Sequence, residues 1–258
     1  MDIVRVVKDD HRLLHMSHSS VWRILDQDAI RPWRFRTWIF SRDPHFQEKA
    51  GIIVDLYQRI WQDEQLGERD FVISADEKTS IQARYRKHPS QPPAANQLAL
   101  FEHEYERQGA IQYLAALDVH NMNLVGRCEP KTGKAPFSRL VDDVMLREPY
   151  RSADRVFWIV DNGSSHRGEK AANELKEKFS NLILINTPVH ASWLNQIEIY
   201  FSILQRKALT PNNFKSTHEI KKRILNFQEY YMNKAKPFNW KYNRYELEQQ
   251  FKQFKIAA

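Results

Sequence analysis

Downstream of Phe71 the chain is built from short apolar runs divided by polar links. Phe71–Arg84 opens with Phe-Val-Ile-Ser-Ala, Gly109–Val119 carries Ile111, Tyr113, Leu114, Ala116 and Leu117, and Asn123–Cys128 follows the link His120-Asn-Met-Asn. Runs of this length, rich in β-branched and aromatic residues, predict strands, and the short link predicts an antiparallel hairpin between the last two. The pattern then alternates: Phe137–Leu146 reads as helix, Arg155–Asp161 as strand, Gly168–Phe179 as helix and Leu182–Asn186 as strand. Three meandering strands followed by alternating helix and strand predict an α/β fold, a mixed five-stranded sheet flanked by helices.

Other segments carry the helical period. Pro44–Gln65 predicts an amphipathic helix with Ala50, Ile53, Val54, Tyr57, Ile60 and Trp61 on one face. From Ser192 to about Leu209, residues Leu194, Ile197, Phe201, Leu204 and Ala208 form an apolar face beside a polar stripe of Asn195, Glu198, Ser202 and Gln205. From Thr217 onward the chain reads as helical, rich in Lys, Tyr and Gln. Near the start, His18–Leu25 sets Val21, Ile24 and Leu25 at helical spacing behind serines able to cap a helix, and Arg31–Trp38 follows as an extended segment. Lys87–Gln108, with Pro89, Pro92 and Pro93, interrupts the strand pattern and reads as a loop or flap.

Composition narrows the classes. The 258 residues hold 39 Lys and Arg against 32 Asp and Glu, a formal charge of +7, and the pI near 9.4 suits a polyanionic partner. A single cysteine, Cys128, excludes an internal disulfide and implies neither an oxidising compartment nor a cysteine metal site. No apolar run approaches the ~18 residues needed to span a membrane, and Met1-Asp-Ile-Val-Arg is not a signal peptide. An intracellular protein is expected, with Asn162-Gly-Ser164 an incidental glycosylation sequon.

Three acids stand where chemistry is built. Asp76 and Asp161 end apolar runs, at the rim of a sheet, and Glu198 lies on the polar stripe of a helix. Three such carboxylates can hold two divalent metals for phosphodiester chemistry. Alternation along the strand turns Glu77 away from the face of Asp76. Asn162 and His166 follow Asp161 closely enough to support such a site, and Asn195 precedes Glu198 by one turn, placed either to fix that carboxylate or to cap the helix. Trp193 reads as a packing residue. His190 and Ser192 invite a hydrolase reading, but no nucleophile elbow accompanies them. Arg31, Arg34 and Arg36, interleaved with Trp33, Phe35 and Trp38, can track a phosphate backbone, as can Arg23 on the preceding helix.

Asp76-Glu-Lys-Thr, Val160-Asp-Asn-Gly-Ser-Ser-His166 and Ser192-Trp-Leu-Asn-Gln-Ile-Glu198 together resemble the catalytic blocks of mariner-type DDE transposases carried by bacterial insertion sequences. The resemblance spans roughly residues 15 to 210. It implies an RNase H-like fold and two Mg²⁺ or Mn²⁺ ions, with Asp76 shared between them and Asp161 and Glu198 each completing one site. It also implies cleavage at an element end followed by attack of the freed 3′-hydroxyl on target DNA. The partners would be double-stranded DNA, both terminal repeats and target, and a second copy in a synaptic homodimer, with no membrane, in the bacterial cytoplasm at the nucleoid.

In that family a pair of helix-turn-helix units precedes the catalytic part. This chain starts near the second recognition helix, so an N-terminally truncated chain is expected. The implied organisation is a partial helix-turn-helix segment and basic linker over 1–40, a connecting helix over 41–70, a DDE catalytic domain over 71–210 and a helical extension over 211–258. Two other classes stay open: a non-catalytic DNA-binding regulator derived from a transposase, and an RNase H-like nuclease without strand transfer.

Overall fold

A computed structural model describes residues 43–161 and 169–256, together with Ser17, Ser19, Ser20, Trp22 and Arg23. The chain divides into two compact units, Met1–Phe40 and Ser41–Ala258. In the first, Ser19, Ser20, Trp22 and Arg23 are helical. A serine caps this turn: the Ser20 N–H donates to Ser17 Oγ at 3.1 Å. The rest of the expected N-terminal helix and the basic segment Arg31–Trp38 lie outside the described residues.

The second unit is organised around one long strand. In chain order it contains α1 (Phe46–Tyr57), β1 (Ile60–Trp61), β2 (Glu64–Gln65), β3 (Asp70–Arg86), β4 (Tyr105–Asp118), β5 (Leu124–Glu129), α2 (Lys134–Met145), β6 (Arg155–Val160), α3 (Glu169–Lys178), β7 (Leu182–Asn186), α4 (Ile197–Leu204), α5 (Thr217–Met232) and α6 (Arg244–Ile256). The main sheet runs β5-β4-β3-β6-β7. The hairpin partners β4 and β5 are antiparallel, as are β3 and β4, whereas β6 and β7 lie parallel to β3 and to each other. This is the mixed five-stranded sheet, with flanking helices, that the apolar pattern predicts.

Alternation along β3 divides its side chains between two layers. Phe71, Ile73 and Ala75 enter a core with Trp158 and with Phe137, Leu140, Val141 and Val144 of α2. Val72 faces the other way, with Phe157 and Ile159, against Ala50, Ile53 and Val54 of α1. Farther along, Ile81 and Ala83 share a third cluster with Tyr200 and Phe201 of α4 and Ile220 and Ile224 of α5. Each large side chain buried this way contributes about 1.5–3 kcal/mol, so β3 is fixed from both faces over its first half. At its outer end Arg155 closes on the buried Asp70 carboxylate, Nη2 to Oδ2 at 2.6 Å. Gly126 of β5 has a packing reason: any side chain there would collide with Tyr113 Oη and Gln228 Oε1, which are hydrogen-bonded at 2.8 Å.

Four elements depart from the sequence reading. The stretch expected to be helical from Thr217 onward is two helices, α5 and α6, separated by irregular chain over 233–243. The helix expected over Pro44–Gln65 stops at Tyr57, and a small hairpin follows, pairing Ile60 with Gln65 and Trp61 with Glu64. Gln62 and Asp63 both take positive φ, 52° and 65°, the geometry a two-residue hairpin turn requires. Trp61 is thereby carried onto Phe157, ring centroids 4.8 Å apart. The loop expected over Lys87–Gln108 is shorter, because β4 already begins at Tyr105. Its first residues are exposed on both sides and so lack apolar alternation. The single helix expected over Ser192–Leu209 is three pieces: a 3-10 turn at Ser192–Leu194, α4, and a π-helical turn at Gln205–Leu209.

Cys128 sits half-buried on β5, and burial pushes its thiol up to about 11. Among the described residues no helix is long and apolar enough to cross a membrane.

Candidate functional site

Strand register brings the first two acids together. The parallel pairing of β3 and β6 runs in step from Asp70 opposite Arg155 to Ser74 opposite Ile159. Two residues further along each strand come Asp76 and Asp161, so the same register sets them on adjacent strands, about 4.8 Å apart in backbone spacing. Alternation turns both toward the layer of Val72, Phe157 and Ile159 and away from α2. The ladder stops at this point: β6 ends at Val160, while β3 runs on to Arg86. The two carboxylates therefore stand where the sheet opens.

The third acid is delivered by a helix start tied to the same strand. Asn195 has an extended ψ of 105°, which breaks the helical run and sends its side chain inward. Its amide nitrogen donates to the Ala75 carbonyl at 3.0 Å and to Asp76 Oδ2 at 3.3 Å. Its amide oxygen accepts from Ser74 Oγ. Ser74 Oγ in turn accepts from the Ile197 N–H at 2.8 Å, so a residue of β3 caps the first turn of α4. From the α1 side, the Tyr57 hydroxyl donates to the Leu194 carbonyl at 2.7 Å and accepts from the Gln196 N–H at 3.3 Å. Glu198 lies in the first turn beyond these anchors, its N–H bonded to the Asn195 carbonyl at 3.1 Å.

The electrostatics follow from the crowding. Burial pushes the Asp76 carboxyl up to about 7, with Asp161, Glu198 and Glu77 adding like-charge repulsion, against the opposing hydrogen bond from the Glu77 N–H. Burial also raises Glu198, offset in turn by the positive charge of Lys78 and by a hydrogen bond with Asp76, while Asp161 pushes it higher. Lys78 is lowered by burial and partly restored by Glu198. Among the described residues no three Asp, Glu, His or Cys side chains already stand as a metal-ligand group. Asp76, Asp161 and Glu198 nonetheless act on one another, and their repulsion works against closer approach. A set of carboxylate oxygens without soft donors fits hard divalent cations such as Mg²⁺ or Mn²⁺, and positive charge between them would relieve the strain visible in Asp76.

Of the residues singled out in the sequence, Asp76, Asp161, Glu198 and Asn195 meet here. The Asn195 side chain holds Asp76 and the backbone of β3 rather than the Glu198 carboxylate, and it is fully buried rather than part of the outer polar stripe. Trp193 packs edge-on against Tyr242 at 5.4 Å. Arg23 is exposed on its helical turn, its Nε 3.4 Å from the Ser19 carbonyl. Asn162, His166, Arg31, Arg34 and Arg36 lie outside the described residues. Sequence reasoning missed Ser74, Tyr57 and Lys78. Ser74 was visible as the lone polar residue in an apolar run, and Lys78 as the next residue on the Asp76 side of β3.

Comparison with known proteins bears on the fold and the family. No curated protein matches the chain by sequence. Among solved structures, the chain is similar to the Mos1 mariner paired-end complex with Mn, with TM-score 0.60 and 15% identity over 98% of this chain and 77% of that one. It is also similar to the Mos1 transposase paired-end complex with left transposon end, with TM-score 0.56 and 16% identity over 97% and 73% of the two chains. The Mos1 strand transfer complex gives 0.55 and 14% over 98% and 76%. At these identities the likeness concerns the fold, which is the α/β, RNase H-like sheet described above. Residues 72–221, more than half of the chain and spanning all three acids, match the family described as DDE superfamily endonuclease, and the chain belongs to that family.

Proposed function

We propose that this chain is a DNA transposase whose Asp76, Asp161 and Glu198 carboxylates bind two Mg²⁺ or Mn²⁺ ions, Asp76 being shared. It cuts phosphodiester bonds at the ends of a bacterial insertion sequence and joins the freed 3′-hydroxyl to target DNA, both by in-line displacement. The observation that carries this reading is the register-matched pair Asp76 and Asp161 facing Glu198, which β3 caps into place. When bound, the ions supply Lewis acidity and charge neutralisation at the attacking and leaving oxygens. The protein's own part is positional. Asn195 and the Glu77 N–H aim the Asp76 carboxylate, Ser74 and Tyr57 hold the start of α4, and Lys78 balances the negative charge beside Glu198. No side chain acts as nucleophile, so no covalent protein–DNA intermediate forms.

The partners in this reading are duplex DNA, as element ends and as target, and a second copy of the chain in a synaptic dimer. The catalytic part occupies residues 71–210, preceded by a DNA-binding segment over 1–40 that includes Arg23, Arg31, Arg34 and Arg36, and by a connecting segment over 41–70. Residues 211–258 form a helical extension, and Asn162 and His166 support the site. The test is cleavage and strand transfer of a labelled duplex carrying the element ends, with Mg²⁺ or Mn²⁺, comparing the chain with Glu198→Ala. Metal-dependent cleavage and joined products, both lost in the variant, are expected. Cleavage without joining would reduce the reading to a nuclease, and DNA binding without cleavage would reduce it to a regulator.

A further inference from the structure

Beyond the carboxylates, β3 and β4 continue as a two-stranded arm that pairs out to Arg86 opposite Tyr105. One edge of this arm is bound by a separate stretch of chain. The Asn212 side chain accepts from the Arg84 N–H at 3.2 Å and donates to the Gln82 carbonyl at 2.7 Å, and the Phe214 N–H donates to the Arg84 carbonyl at 2.9 Å. A groove of about 380 Å³ lies between the two, with Lys78, Arg84, Arg86 and Phe101 on one side and Gln205 and Asn212 on the other. Its inner end is Lys78, beside Glu198. Its outer end is Arg86, eight residues along an irregular stretch of the strand and so at most about 26 Å away.

The two arginines of this groove differ from the ion-paired arginines of the molecule. Arg155, Arg127, Arg139 and Arg244 each close on a carboxylate, of Asp70, Asp143, Glu129 and Asp55. Arg84 and Arg86 have no such partner among the described residues. Arg84 Nε reaches only the Gln82 amide oxygen, at 3.4 Å, and its guanidinium lies over the Tyr105 ring, 4.8 Å from the centroid. Arg86 stacks on the same ring at 5.5 Å and donates one nitrogen to the His103 carbonyl at 3.2 Å. Its Nε is buried with no acceptor. A buried charged donor left unmet costs stability, so a groove that keeps one is suited to an anionic acceptor arriving from outside. Tyr105 holds both guanidinium planes in place in advance, which limits the ordering entropy lost when they bind.

We propose that this groove is a phosphate track that guides a DNA strand to the carboxylates, with Arg84 and Arg86 as its phosphate contacts. The assignment rests on the nuclease reading above for the direction of the strand, but not for the binding itself. A row of unpaired cations leading to an acidic site separates two tasks: the backbone is held along the arm, and only the scissile phosphate enters the repulsive end.

The test reads binding rather than cleavage, in EDTA, as the salt dependence of affinity for a labelled random-sequence duplex and for one carrying the element ends. Arg84→Gln with Arg86→Gln keeps the stems and the groove shape and should reduce the slope of log K against log salt by about 2, roughly one unit per lost phosphate contact. Arg84→Lys with Arg86→Lys should keep the slope. Arg147→Ala with Arg151→Ala, exposed beyond the end of α2, should leave it unchanged. A change on one duplex alone would assign the track to that DNA, element end or target. An unchanged slope on both duplexes in the glutamine variant overturns the proposal, as does a change in sedimentation with no change in slope, which would make the groove a protein contact. Glu198→Ala distinguishes the two readings: it should abolish cleavage with the slope intact, so a nuclease reading that fails leaves the track standing, and the reverse.

Discussion

Asn195 joins three groups of β3 through one amide, and the cost of removing it should be split between stability and rate. Asn195→Ala leaves a buried hydroxyl, a carbonyl and a carboxylate short of a partner. A loss of about 1–3 kcal/mol in urea unfolding is expected. Single-turnover cleavage should fall by more than that loss of folded protein explains, on the order of 10²-fold, because Asp76 is no longer aimed. Asp70 offers a test without chemistry. Its bonds to Arg155 hold its carboxyl below the usual carboxylate range. A group lowered by folding stabilises above its unfolded value, near 3.8, and loses that contribution as pH falls through the lower folded value. Asp70→Asn should therefore cost about 1–3 kcal/mol at neutral pH, and the gap to the native chain should close only below pH 3.8. At this scale the acids were legible because carboxylates at the ends of apolar runs are conspicuous. The role of Tyr57 was not, and Ser74, though conspicuous in its apolar run, gave no sign of what it joins, because the partners of both lie more than a hundred residues away in sequence.

At the scale of elements, α4 depends on a cap it does not carry. Ser74→Ala removes the acceptor of the Ile197 N–H and the partner of Asn195 together. It should destabilise by about 1–3 kcal/mol, and hydrogen exchange at the first amides of α4 should speed up more than at β6. The strands and most helices could be read because their apolar faces are continuous. The hairpin after α1 could not, since Ile60 and Trp61 fit the helical period, whereas the backbone leaves the helix after Tyr57 through the positive φ of Arg59 and turns back at Gln62 and Asp63. The polar start of β4 was hidden for the opposite reason: an arm solvated on both faces leaves no alternation to detect. Replacing 88–103 by a two-residue turn should leave the thermal midpoint of the sheet within a few degrees, because the first core residue along β4 lies well beyond Tyr105.

The molecule as a whole gathers negative charge at one place on a basic chain, and metal should convert that strain into stability. Mg²⁺ should stabilise the fold by about 2.7 kcal/mol when the free ion is a hundred times its Kd, read as a higher melting temperature that EDTA reverses. Glu198→Gln should abolish that shift. In EDTA the same variant should melt higher than the native chain at pH 8. The Glu198 carboxyl is raised by folding, so its favourable contribution is present below its unfolded value and lost as pH rises through the folded one. Glutamine does not titrate, and the difference should vanish below pH 4.5.

The thiol of β5 decides where a spectroscopic probe can be placed on this chain. Cys128 is the sole cysteine of the chain, half-buried, with its thiol pushed up to about 11, so almost none is thiolate at neutral pH. Maleimide dyes should leave the native protein almost unlabelled. A cysteine introduced at Leu98, 85% exposed near the tip of the arm, would then accept a fluorophore alone. The chain is in effect a built-in background for single-site spectroscopy, and the arm can be followed in real time without first rebuilding the core.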